Sequence, residues 1–209
     1  MAQSTGGTGK SYEGGVPHPA SVRTDPWSAA GYAGVAGFLV LEAGVRQRGS
    51  ASSLQASDDD KGTTRLILSA YLLAILLPPL LRSARVRPLP RSAAPIGLAL
   101  QATGLGVRVW SMRTLGTSYS RTLRTADHQA IVDGGPYRWV RHPGYLGSLL
   151  TWAGFALTSR SLPVVAAVTG LLAPAYRRRI TAEEQLLGRD LPGYVEYSQR
   201  TKRLIPAVW

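Results

Sequence analysis

The chain has 209 residues, with 24 Lys and Arg against 12 Asp and Glu and no Cys. That length suits one domain or one compact bundle, and the missing thiols exclude disulfides, Cys-ligated zinc and thiol catalysis. A net charge of +12 raises nucleic acid as a partner, but the basic residues lie between long apolar runs and form no single basic helix, so membrane flanks explain them better and no nucleic acid is expected. The three His, at 18, 128 and 142, stand far apart, so no metal site is expected. Twenty-one Arg against three Lys, with no Asn, point to a GC-rich and bacterial genome.

Residues 1–26 are rich in Gly, Ser, Thr and Pro and read as a flexible N-terminal tail. The run at 6–11 imitates a phosphate loop, but the required first Gly falls on Ser4 and no strand precedes it. Residues 27–45 are small and apolar, broken late by Glu42. A run of about 20 such residues crosses the hydrocarbon core, so this is the first expected transmembrane helix, with Gly and Ala letting neighbours approach. Residues 46–64 follow as a polar loop, in which Asp58-Asp59-Asp60 reads as a solvated tip rather than a metal site. Residues 66–81 form the most apolar run, a second span that Pro78-Pro79 should kink or end. A basic loop at 82–94 leads to a third span at 95–110, where Gly97, Gly104 and Gly106 suit helix packing.

After a polar segment at 111–142, two apolar runs at 143–158 and 162–176 flank Ser159-Arg160-Ser161 and read as a tight helical hairpin. In the polar tail at 177–209, Leu187, Leu191, Tyr194 and Tyr197 recur at helical spacing, which predicts an amphipathic helix on the membrane surface. The expected fold class is all-α, a polytopic membrane helix bundle with about five transmembrane helices, three of them within 27–110, and a C-terminal helical hairpin. Five spans put 17 of the 24 Lys and Arg on one side, together with the 111–142 segment and the C-terminal tail. Positive residues mark the cytoplasmic side, although the four Arg at 82–94 fit this poorly. The expectation is an integral protein of a bacterial inner or plasma membrane.

The densest chemistry lies at 134–147. Pro143 suits the first turn of a helix, whose free amides and positive dipole end would lie beside His142 and Tyr145 and favour an anionic or polar group. Alternatively, Arg138 and Arg141 are the basic flank of a membrane helix. Farther on, Arg179 and Glu183 stand four residues apart and share a helix face. They form either an ordinary surface ion pair, or a site in which Arg179 offers a planar fork to an acceptor carboxylate while Glu183 holds a cationic or hydroxyl-bearing group. Both readings put charge where cytosol meets lipid, so one reactant can come from water and the other from the bilayer.

The stretch Gly135-Pro136-Tyr137-Arg138-Trp139-Val140-Arg141-His142-Pro143-Gly144-Tyr145-Leu146-Gly147, an apolar hairpin, and then Arg179-Ile180-Thr181-Ala182-Glu183-Glu184 resembles the Arg-His-Pro-x-Tyr-x-Gly and Glu-Glu signature of the isoprenylcysteine carboxyl methyltransferase family. These are integral membrane enzymes that use S-adenosylmethionine. The likeness runs from about residue 115 to 206, including Gly193-x-x-x-Tyr197 and the closing Arg203-Leu204-Ile205-Pro206.

The resemblance implies a catalytic region at 111–209 with a cytoplasmic cofactor pocket. Gln129, Ala130, Ile131, Val132, Tyr137, His142, Pro143, Gly144 and Tyr145 would line that pocket, Glu183 would complete it, and Arg179 would face the methyl acceptor. The family often has His where this chain offers His128 or Gln129, and the alignment leaves both open. Arg179, Glu183 and Glu184 are the candidate catalytic residues. Methyl transfer from a sulfonium cancels charge, so positioning and exclusion of water contribute most. A carboxylate acceptor needs no base, whereas a hydroxyl or amine needs one such as Glu184 or His142. The implied function is S-adenosylmethionine-dependent methyl transfer to a lipophilic acceptor, with a lipophilic substrate and membrane lipids as partners. Two alternatives stay open. One is an NADPH-dependent reductase of a sterol-like or isoprenoid lipid, with Arg121, Arg124 and the basic run at 177–179 for the 2′-phosphate. The other is a non-catalytic membrane scaffold protein.

Overall fold

The computed structural model describes residues 25–48, 60–81, 87–116 and 131–205. Most of the expected tail at 1–26 lies outside the described residues, as do Asp58, Asp59, Arg121, Arg124, His128, Gln129 and Ala130. Six helices follow in order: α1 (Pro26–Arg48), α2 (Thr63–Leu80), α3 (Ala93–Leu115), α4 (Pro143–Thr158), α5 (Leu162–Asp190) and α6 (Tyr194–Arg200), with a 3-10 turn at Gly135–Arg138 before α4. No strand occurs among the described residues, apart from one isolated bridge between Val140 and Lys202. The all-α expectation holds.

Local chemistry explains where these helices stop. Pro78 and Pro79 occupy the last turn of α2, which ends at Leu80 because neither ring can supply an amide to continue the ladder. Pro143 opens α4, as expected from its fixed backbone angle. The second arm of the hairpin corrects the sequence reading. Instead of ending at Tyr176, α5 runs 29 residues to Asp190, because Arg, Ala, Glu and Gln propagate a helix as well as apolar residues do. The expected amphipathic tail is therefore divided: 177–190 continues α5, and α6 is a separate 7-residue helix.

Among the described residues, Thr63–Leu80 is the one helix long and apolar enough to cross a membrane. Leu68, Leu72, Leu73, Leu76 and Leu80 on it are exposed. Glu42 interrupts α1, Arg108 interrupts α3, and α4 has 16 residues, so hydropathy and length do not carry the expected five spans.

Helices α3 and α4 pack backbone to backbone. A methyl placed on Gly104 would sit 2.5 Å from the Gly147 carbonyl, and one on Gly154 would sit 2.5 Å from the Gly97 carbonyl. Two pairs of glycines spaced seven residues apart thus let the helices cross without side chains between them. Gly106 faces open space and takes no part. Around this crossing, Phe38 of α1, Tyr71 of α2, Trp152 and Phe155 of α4 and Val168, Leu172 and Tyr176 of α5 form the buried core. The Tyr71 and Trp152 rings stack at 4.7 Å, and Phe38 meets Trp152 edge-on at 5.8 Å. This core fixes the start of α4 against the charged half of α5, where the candidate site lies.

Candidate functional site

The loop before α4 is tied to the chain's last described residues. The Arg141 amide donates to the Lys202 carbonyl at 2.7 Å and the His142 amide to the Arg203 carbonyl at 3.1 Å. The Arg141 guanidinium donates to the Ser198 and Thr201 carbonyls at 2.7 and 2.5 Å, and the Tyr197 hydroxyl donates to the Tyr137 carbonyl at 2.7 Å. Residues 137–142 and 197–203 form one hydrogen-bonded unit. In the first turn of α4 the Tyr145 amide donates to the His142 carbonyl at 3.1 Å, and the Leu146 amide makes the ordinary helical bond to the same carbonyl at 3.1 Å.

Two acids of α5 meet this unit and the first turn of α4. Glu184 accepts from Arg141 Nε at 2.8 Å, lies 3.3 Å from His142 Nε2, and pairs through its other oxygen with Arg203 at 2.7 Å. Burial would raise its pKa, but the hydrogen bond and charge of His142, together with those of Arg141, outweigh burial and hold it at about 2. Glu183 accepts from the Tyr145 hydroxyl at 2.5 Å. The His142 and Tyr145 rings stack at 5.7 Å. Sequence-distant residues of α4 and α5 thus form two parallel connections, His142 to Glu184 and Tyr145 to Glu183.

Arg179 extends the second connection. Its Nε donates to the Tyr145 hydroxyl at 3.1 Å, and its Nη1 donates to the Thr63 and Thr64 hydroxyls at 3.0 Å each and to Asp60. Arg179 is 4% exposed and Asp60 1%. This corrects two expectations. Asp60 is a buried partner and not part of a solvated loop tip, and Arg179 is neither an exposed surface pair nor an open fork. The physical reason is the first turn of α2, whose hydroxyls and Thr64 amide surround the Asp60 carboxylate. Burial would raise the Asp60 pKa, but hydrogen bonds from Thr64 and Thr63 and the Arg179 charge lower it below the ordinary carboxylate value.

Of the other expected residues, Ile131 packs on a small cluster of Leu191, Tyr194 and Tyr197, Tyr137 and Pro143 are buried, and Gly144 offers its carbonyl to Arg108 at 2.8 Å. Val132 is half-buried in the segment before the 3-10 turn. Arg108 also forms a buried ion pair with Glu42 at 2.5 Å. Sequence reasoning missed this pair, although a lone acid in an apolar helix signals a buried partner. It also missed Asp60 as the partner of Arg179, and Arg203 as a further partner of Glu184. Among the described residues, no group of three or more His, Asp and Glu is arranged to hold a metal.

The network spans the two motifs that carry the resemblance, and the sequence model for the "Isoprenylcysteine carboxyl methyltransferase (ICMT) family" matches residues 97–189. Over this stretch the chain is similar to that family. The isoprenylcysteine carboxyl methyltransferases are membrane enzymes that act on lipidated substrates and generally use S-adenosylmethionine. A "Probable protein-S-isoprenylcysteine O-methyltransferase" of Oryza sativa subsp. indica is 29% identical over 119 residues, covering 54% of this chain and 61% of its own length. The "Cobalt-zinc-cadmium resistance protein CzcN" of Cupriavidus metallidurans is 30% identical over 121 residues, 58% of this chain and 51% of its own length. The "Nickel-cobalt-cadmium resistance protein NccN" of Alcaligenes xylosoxydans xylosoxydans is 30% identical over 76 residues, 36% of each chain. The chain thus spans between about a third and three fifths of the length of these relatives. Family and rice relative alike are named for methyl transfer, and none of these names describes a reductase.

Proposed function

We propose that the chain is an S-adenosylmethionine-dependent methyltransferase acting on an oxygen of an isoprenoid or lipid-like acceptor at the cytoplasmic face of a bacterial membrane. The observation that carries this reading is the 2.5 Å hydrogen bond from Tyr145 to Glu183, which joins the two family motifs beside the His142–Glu184 contact. The donor set suits a cofactor with a cationic amino-acid end and an aromatic base: two carboxylates, two stacked rings and a hydrogen-bonded backbone stand together. Ile131, Val132, Tyr137, His142, Pro143, Gly144, Tyr145 and Glu183 would hold it, with Gln129 and Ala130 leading into the same segment. When bound, S-adenosylmethionine supplies an electrophilic methyl group for in-line transfer to the acceptor oxygen.

The chain's residues contribute position more than proton transfer. Glu184, held at about pKa 2, is a feeble base at neutral pH and instead holds Arg141, His142 and Arg203 together. Glu183 offers its carboxylate to the cofactor side while Tyr145 fixes its direction. Arg179 presents its charge to the acceptor from behind Tyr145, balanced by Asp60. A carboxylate acceptor fits this arrangement best, because it needs orientation and desolvation but no base.

Five spans remain our reading of the bundle. The Glu42–Arg108 pair neutralises the two charges that interrupt α1 and α3, and paired charges facing a bundle interior are tolerated in lipid. The exposed Trp110 and Trp139 rings meet at 5.9 Å with Arg138 over Trp139, as at a membrane–water interface. The test is transfer of radiolabel from S-adenosylmethionine to a free isoprenoid acid in membranes holding the full chain. Label in the organic extract, absent with His142→Ala, supports the proposal; none with the parent protein overturns it.

A further inference from the structure

One polar group beside the site has no bonding partner among the described residues. Tyr194, the first residue of α6, is 6% exposed, and its hydroxyl is buried without a hydrogen bond. A buried donor left unpaired costs free energy that a bound acceptor atom would recover. The neighbouring Tyr197 presents the opposite case, since its hydroxyl reaches the Tyr137 carbonyl at 2.7 Å. The two rings lie 6.0 Å apart, so one tyrosine fastens α6 to the loop and the other does not.

The surroundings of Tyr194 belong to the candidate site. Its cluster includes Leu191, Leu187 and Ile131, the last being one of the residues assigned to the cofactor. Gly193 holds α6 close to that segment at φ 80°, where a side chain would be strained and its first carbon would stand 3.1 Å from Ile131 Cδ1. Burial, then the charges of Glu184 and Glu183, raise the Tyr194 pKa, so the phenol stays protonated and can donate.

We infer that the Tyr194 hydroxyl is a further cofactor-binding group, donating a hydrogen bond to an acceptor atom of bound S-adenosylmethionine from the α6 side. This rests on the methyltransferase reading and adds a residue outside the two motifs. Glu183 and Glu184 suit the cationic part of such a ligand, whereas a neutral phenol suits an oxygen or ring-nitrogen acceptor.

The experiment compares the detergent-purified full chain, Tyr194→Phe and Tyr197→Phe by thermal unfolding without ligand and by calorimetric titration with S-adenosylhomocysteine. Removing an unpaired hydroxyl should leave the ligand-free Tm of Tyr194→Phe equal to or above that of the parent. Its affinity for S-adenosylhomocysteine should fall roughly tenfold, as for one lost hydrogen bond. Tyr197→Phe should lower the ligand-free Tm, since it removes a paired hydroxyl. Unchanged affinity in Tyr194→Phe, or a lower ligand-free Tm, would overturn the inference while leaving the methyltransferase reading intact. A folded parent protein that binds no S-adenosylhomocysteine would overturn both.

Discussion

The Tyr145 hydroxyl donates to Glu183 at 2.5 Å while accepting from Arg179 Nε at 3.1 Å, so one phenol couples an acid and a base that are one helical turn apart on α5. Tyr145→Phe removes that coupling without changing the ring. Methyl transfer should fall about 10²-fold, because Glu183 and Arg179 lose their shared orientation. Stability should fall by about 1–3 kcal/mol, the cost of buried groups losing a partner. Initial rates at saturating S-adenosylmethionine and thermal unfolding of the same preparation check both.

The Asp60–Arg179 pair gives a stability prediction independent of catalysis. Asp60→Ala leaves a guanidinium that is 4% exposed without its carboxylate, which should cost about 3–5 kcal/mol. Combining it with Arg179→Met, of similar length and apolar, should restore much of that loss. Denaturant unfolding of the two variants measures the difference.

The α3–α4 crossing should distinguish glycines by their surroundings. Gly147→Ala puts a methyl 2.6 Å from the Gly104 carbonyl and 2.8 Å from the Arg108 amide, and should destabilise by about 1–3 kcal/mol. Gly106→Ala meets nothing within 4 Å and should stabilise by about 0.5–1 kcal/mol through helix propensity. Opposite shifts in Tm are the expected result.

Glu184 makes stability depend on pH. Its folded pKa of about 2 lies below its ordinary value of 4.5, so the folded state binds its proton less readily than the unfolded chain. The resulting stabilisation is complete above pH 4.5 and is lost as pH falls toward 2. Relative to Glu184→Gln, the parent protein should therefore be more stable at neutral pH, and the gap should narrow across that window in unfolding curves.

Much of the fold was legible because local signals mark it. Pro143 and Pro78-Pro79 set helix ends, and Gly97 and Gly104 announced a close crossing. The end of α5 was not legible, because the apolar run stops at Tyr176 where the environment changes, whereas the backbone continues through Arg177-Arg178-Arg179 until Asp190. Asp60 was misread for a related reason. The Ser and Gly around it suggested a solvated loop tip, and the chain gives no local sign that Arg179, 119 residues later, closes over it. The stronger hint was Thr63-Thr64 at the start of an apolar run, whose hydroxyls and amide need an acceptor. His142, Tyr145 and Glu183 could be named from their motifs, but only the fold brings Tyr145 to Glu183.

The most direct test of the methyltransferase site is calorimetric titration of S-adenosylhomocysteine into the detergent-purified full chain and into Glu183→Ala. The account predicts saturable one-to-one binding by the parent protein and binding at least about tenfold weaker in the variant, the loss of one charge-assisted contact. No binding by a folded parent protein, or equal binding by both, would contradict it.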